Sequence, residues 1–141
     1  MLLNRKFIFI VEGNVQNRLV FQISLGRQGA WMEFEPSGEK ALEHLKRLHK
    51  VDLIILDLAS RGHDSGYDLF DHIRAHAEYN AVPIVAMTTF DFSRARYRTQ
   101  EKGFNGLILK PIDINLFPRQ IARILEGENI WPADVRSVAN T

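Results

Sequence analysis

The chain reads as an α/β protein: a doubly wound, five-stranded parallel sheet between two layers of helix. Two observations predict this. Short aliphatic runs alternate five times with segments of helical spacing, the pattern of a parallel sheet covered on both faces. The third run, Val51-Asp52-Leu53-Ile54-Ile55-Leu56-Asp57, is too apolar for a half-exposed strand and ends on a carboxylate. Open α/β sheets keep their ligands at the carboxyl edge, and an acid set there without a task would be costly to desolvate.

Residues 6–11 form the first predicted strand. Val15, Leu19 and Ile23 recur at i, i+4 and i+8 and predict the first helix. Residues 30–35 make the second strand. Ser37 then offers an N-cap to a helix over 39–49, with Leu42, Leu45 and His49 on one stripe. The third strand is 51–57, and Leu69, Ile73 and Ala77 mark the third helix. The fourth strand is 82–88, with Pro83 in its first turn, where a missing N–H is tolerated. A fourth helix over 92–102 and a fifth strand over 106–110 follow. Phe117, Ile121, Ile124 and Leu125 predict the fifth helix. Pro118 lies about a turn inside it if Asp113 is the cap, which predicts a kink or a late start. After Gly127 the periodicity lapses, so residues 1–126 are read as the domain and 127–141 as a C-terminal tail without an output domain.

Composition narrows the function. A chain of 141 residues suits one domain. A net charge of +1 gives no footprint for bulk nucleic-acid or membrane binding. Without cysteine there are no disulfides, thiolate metal sites or thiol catalysis. The apolar run after Arg5 and Lys6 is too short to span a bilayer, and no cleavage site follows it, so the expected location is cytoplasmic.

If the strands take the order 2-1-3-4-5, common in doubly wound sheets, four strand ends meet in one pocket: Glu12 followed by Gly13 and Asn14, then Asp57, Thr88, and Lys110 followed by Pro111. An ionised Asp57 is a nucleophile towards phosphorus. Glu12 beside it would repel it, so a hard divalent cation is the natural neutraliser. Lys110 can pair with phosphoryl oxygens and Thr88 can donate to another. His72 and His76, four apart, read as a solvated polar face rather than a metal pair.

The ordered set Val11-Glu12-x-Asn14, Leu56-Asp57, Met87-Thr88 and Lys110-Pro111 resembles bacterial response-regulator receiver domains of two-component signalling, chemotaxis regulators among them. Phe34-Glu35-x-x-Gly38-Glu39-x-Ala41-Leu42 and Gly66-Tyr67-x-Leu69 look like that family's connecting segments, and the likeness runs over roughly residues 5–126. It implies the flavodoxin-like form of the fold. It implies that Asp57 accepts a phosphoryl group from a sensor histidine kinase or a histidine phosphotransfer protein, with Mg²⁺ assisting. Thr88 and Lys110 would then bind the phosphoryl group and relay the change. Glu12, Asp57 and the backbone carbonyl of Ala59 would hold the metal, and the Lys110–Pro111 peptide would be cis. Such a domain is a phosphoacceptor that assists its own phosphoryl transfer, not an enzyme in its own right. It signals to a downstream protein through the fourth helix, fifth strand and fifth helix.

Several positions depart from that pattern. Gly13 stands where receivers carry a second acid that ligates the metal directly; losing it should weaken the metal at least as much as losing an outer partner, roughly 10–100-fold. The loop after Asp57 lacks the usual proline, at Arg61, and looks one residue longer; His63 lies within it. Leu107 takes the outward position on the last strand that is often an aromatic switch residue. Ala59 and Phe90 fill positions that tune hydrolytic water in this family, and both are apolar, which predicts slow autodephosphorylation.

Arg94, Arg96, Arg98 and Lys102 on the fourth helix, with Arg119 and Arg123 on the fifth, set like charges on both sides of the surface through which relatives pair. A monomer or weak dimer is expected. The alternative function is a degenerate receiver, an interaction module that works without phosphorylation. An aspartate-dependent phosphatase would need an acid two residues after the nucleophile, where Ala59 stands. No Gly-rich phosphate loop follows the first strand.

Overall fold

The computed structural model describes residues 1–59, 65–89 and 92–132. Five strands alternate with five helices: β1 (Phe7–Val11), α1 (Val15–Gly26), β2 (Trp31–Glu35), α2 (Gly38–Lys46), β3 (Leu53–Asp57), α3 (Gly66–Arg74), β4 (Ile84–Thr88), α4 (Phe92–Lys102), β5 (Gly106–Leu109) and α5 (Phe117–Leu125). The sheet is parallel throughout, in the order β2-β1-β3-β4-β5. The predicted order holds.

Strand alternation divides the core in two. Phe9, Val11, Ile54, Leu56, Ile84 and Ala86 pack towards α2, α3 and α4. Ile8, Ile10, Leu53, Ile55, Val85 and Met87 pack towards α1 and α5. Each fully buried large side chain is worth about 1.5–3 kcal/mol. A one-residue slip would therefore exchange the two faces of a strand at large cost, and the register is firmly set.

The helices show what periodicity alone misses. The stripe Val15, Leu19 and Ile23 faces outward, at 58%, 53% and 47% exposure; Phe21, Ser24 and Leu25 face the core instead. The helix was legible but its buried face was not, because Phe21 seated on Phe117 (ring centroids 5.6 Å apart) settles the rotation. α2 ends at Lys46, so His49 lies beyond it and is exposed. Ser37 holds the N-cap position of α2 without a side-chain capping bond; its own N–H donates to Glu35 Oε2 at 3.0 Å. α3 ends at Arg74, and Ala77 opens a separate 3-10 turn. α5 starts late, at Phe117, which puts Pro118 in the first turn where it needs no hydrogen-bond donor.

Two glycines permit close approach at the functional edge and at the sheet border. A Cβ on Gly66 would lie 2.9 Å from both the Asp57 carbonyl oxygen and Leu58 Cα, so only glycine lets α3 begin so near the end of β3. A Cβ on Gly106 would meet the Ile130 carbonyl oxygen at 3.0 Å. Among the described residues no helix is long and apolar enough to cross a membrane.

Candidate functional site

β1, β3 and β5 end with side chains of the same parity. Glu12, Asp57 and Lys110 continue the rows that face α1 and α5, and they meet at the carboxyl edge. Lys110 Nζ lies 3.0 Å from Asp57 Oδ2, 3.4 Å from Glu12 Oε1 and 3.5 Å from Glu12 Oε2. One ammonium thus serves two carboxylates. Lys110 is placed by its own N–H, which donates to the Thr88 carbonyl at 2.9 Å, and the Lys110–Pro111 peptide is cis.

Glu12 is almost completely buried. Burial, followed by its hydrogen bond with Asp57, raises its pKa above the ordinary glutamate value, while Asn17 and Lys110 pull the other way. Asn17 Nδ2 donates to Glu12 Oε1 at 2.5 Å. Asp57 is more open, and its Oδ1 accepts from the Ala59 N–H at 3.1 Å, which orients the carboxylate. Asn14 is taken up as the N-cap of α1, accepting from the Asn17 N–H at 2.9 Å. Its amide therefore braces the helix rather than the acids.

Thr88 belongs to the opposite parity. It lines a cleft of about 420 Å³ together with Leu58, Ala59, Tyr67, Arg94, Ala95 and Arg98. The Arg98 guanidinium stacks 3.8 Å from the Tyr67 ring centroid. Thr88 and the acid pair thus flank the end of β3 from two sides. Leu107, expected to point outward, is 1% exposed and packs in the core with Leu56 and Ala86, because β5 turns that row towards α3 and α4. Arg61, His63 and Phe90 lie outside the described residues, as does the tail from residue 133.

Asn17 was missed in the sequence, and Arg94 and Arg98 were read there only as part of a basic surface. Asn17 had a signal: Asn14-x-x-Asn17 is a capping spacing, but nothing in it shows an amide reaching back to Glu12. Arg94 and Arg98, four apart on α4, carry a one-face signature, yet the partner element emerges only from the fold.

A family model for the response regulator receiver domain matches residues 8–122. The chain belongs to the receiver-domain family. Among curated relatives it is 29% identical over 120 residues to the polar-differentiation response regulator DivK of Brucella ovis, covering 85% of this chain and 96% of that protein. It is also 28% identical over 145 residues to Histidine kinase 2 of Arabidopsis thaliana, covering 89% of this chain but only 12% of that protein. The chain therefore spans a small part of that kinase. Among solved structures, this receiver domain superimposes on CheY4 of Vibrio cholerae with a TM-score of 0.78 at 20% identity, covering 86% of this chain and 99% of that one. A putative response regulator from Chloroflexus aurantiacus gives 0.80 at 24% identity, covering 87% and 99%. At these identities the structural matches speak for the fold.

Receiver domains as a family bind Mg²⁺. The donors that meet at this edge are of the right kind: the carboxylates of Glu12 and Asp57, both hard oxygen ligands. They are few, since Gly13 brings none, and among the described residues no group of three His, Cys, Asp or Glu side chains converges. Mg²⁺ keeps several waters and accepts one or two carboxylates, so the set fits it with few protein contacts.

Proposed function

We propose that this receiver domain takes a phosphoryl group on Asp57 from a phosphohistidine of a sensor histidine kinase or histidine phosphotransfer protein. It then signals through protein–protein contacts as a phosphorelay component, residues 1–126 forming the working unit. The observation that supports this best is the single ammonium of Lys110 between Asp57 and Glu12. It holds the nucleophile at the open edge and stands ready to turn to a phosphoryl oxygen. An Asp57 oxygen attacks phosphorus as the phosphorus–nitrogen bond to histidine breaks, and the imidazole leaves with its electron pair. Lys110 and the Thr88 hydroxyl bind the oxygens of the transferred group from the two sides of β3. Glu12, Asp57 and the Ala59 carbonyl would hold Mg²⁺, which supplies charge neutralisation of the phosphoryl oxygens when bound.

The test is incubation with acetyl phosphate and Mg²⁺ followed by intact-mass measurement. The wild type should gain one phosphoryl group and Asp57→Asn none. A wild type without adduct, beside a Gly13→Asp variant that gains one, would favour the degenerate interaction module.

The outward stripe of α1 supports a docking role. Val15, Leu19 and Ile23 are exposed along α1, which begins just after Glu12 at the acceptor edge. Leu19→Asp should slow transfer from a phosphohistidine protein about tenfold or more and leave acetyl phosphate labelling unchanged. Equal slowing with both donors would count against the stripe as a docking surface.

A further inference from the structure

β5 is the border strand of the sheet, and its outer backbone groups are a template for another strand. The chain supplies one itself. Gly127, at φ 104°, turns the backbone after α5, and Ile130 returns beside Gly106 as a parallel bridge. The Leu107 N–H donates to the Ile130 carbonyl at 2.9 Å, and the Ile130 N–H donates to the Asn105 carbonyl at 3.3 Å.

Side chains lock the segment from both directions. Trp131 packs on the core cluster next to α4, and Ile130 on the cluster next to α5. Arg96 of α4 donates to the Pro132 carbonyl at 3.0 Å, and Arg123 of α5 pairs with Glu128. The two helices flanking β5 therefore each spend an arginine on the same short strap. Pro132 has no N–H to continue the ladder, so the strand stops there. An apolar groove of about 210 Å³ continues past it, walled by Leu109, Pro111, Leu116 and Gln120.

We propose that residues 128–132 form a displaceable strap that closes the β5 edge in cis and competes there with an extended partner segment of the same chemistry. That partner carries an acidic residue followed by bulky apolar ones and adds as a parallel strand. The basic flanks favour an acidic segment, and the strap's own Glu128 shows the match. The proposal rests on the reading of α4, β5 and α5 as the outgoing surface. It does not rest on phosphorylation of Asp57.

The test uses the full chain and a fluorophore-labelled peptide, Gly-Glu-Asn-Ile-Trp-Pro, the sequence of residues 127–132. Ile130→Asp sets a carboxylate against apolar neighbours and should release the strap. Fluorescence anisotropy should show this variant binding the peptide at least about tenfold more tightly than wild type, and adding Arg123→Glu should remove the gain. Equal binding by wild type and variant, or none to a folded variant, would overturn the proposal. Amide exchange on the wild type guards against a variant that fails to fold. The Leu107 amide should exchange at least about tenfold faster than those of Val85 and Met87, by local opening of the strap. Exchange of all three at one rate would mean that the strap opens only with the whole domain, and would also overturn the proposal. Neither experiment contains a phosphodonor, so its failure leaves the phosphoacceptor reading standing, and an unlabelled Asp57 leaves the strap standing.

Discussion

Lys110→Met is expected to slow phosphoryl acceptance at Asp57 about 10²–10³-fold, the usual cost of removing one preorganised group that stabilises transferring charge. The ammonium sits 3.0 Å from Asp57 Oδ2 and no more than 3.5 Å from both Glu12 oxygens, so its loss strips the cation from two acids together. Stranding a buried charge normally costs about 3–5 kcal/mol. Here Glu12 can escape most of that by taking up a proton. Burial and Asp57 already raise its pKa, and Lys110 is one of the two groups holding it down. Without Lys110 it rises further.

The sign of the pH dependence follows. A carboxyl whose folded pKa is raised contributes stability below the ordinary glutamate value and loses it as pH climbs through the raised one. In Lys110→Met that loss should move to higher pH than in wild type. Urea denaturation across a pH series would show the shift, and superimposable curves would count against a Lys110–Glu12 coupling.

Gly13→Asp should raise Mg²⁺ affinity about 10–100-fold by restoring a carboxylate ligand. Gly13 follows Glu12 at the end of β1 and precedes Asn14, the cap of α1, so the new carboxylate would join the same edge of the sheet. The added negative charge would strengthen the case for a cation among three acids and draw Lys110 into sharper competition with the metal. Isothermal titration with Mg²⁺ checks the affinity, and the Mg²⁺ dependence of acetyl phosphate labelling checks its consequence. An unchanged affinity would mean that the site takes its charge balance from Lys110 rather than from a metal.

The five buried strands were legible because they write themselves as dense aliphatic runs, and the order common to doubly wound sheets then brings Glu12, Asp57 and Lys110 together. The helices were legible as elements, though not in their rotation. Val15, Leu19 and Ile23 obey helical spacing as well as Phe21 and Leu25 do, and only contact with α5 decides which row is buried. Leu107 carries the same lesson, since residue type does not tell which layer an edge-strand side chain enters. The division of the site was equally out of reach. That Thr88 opens on the cleft of Arg94 and Arg98, while Lys110 joins Glu12 and Asp57, follows from strand parity across three elements. The return of Ile130 to the β5 edge had a weak sign in Gly106 and Gly127, but neither glycine names its neighbour.

The central claim is that Asp57 itself carries the phosphoryl group. The most direct measurement is to label the wild-type chain with acetyl phosphate and Mg²⁺, reduce the acyl phosphate with borohydride, and sequence the peptides by mass spectrometry. The account predicts homoserine at position 57 and at no other acid. Label absent from position 57, or found on Glu12, would contradict it.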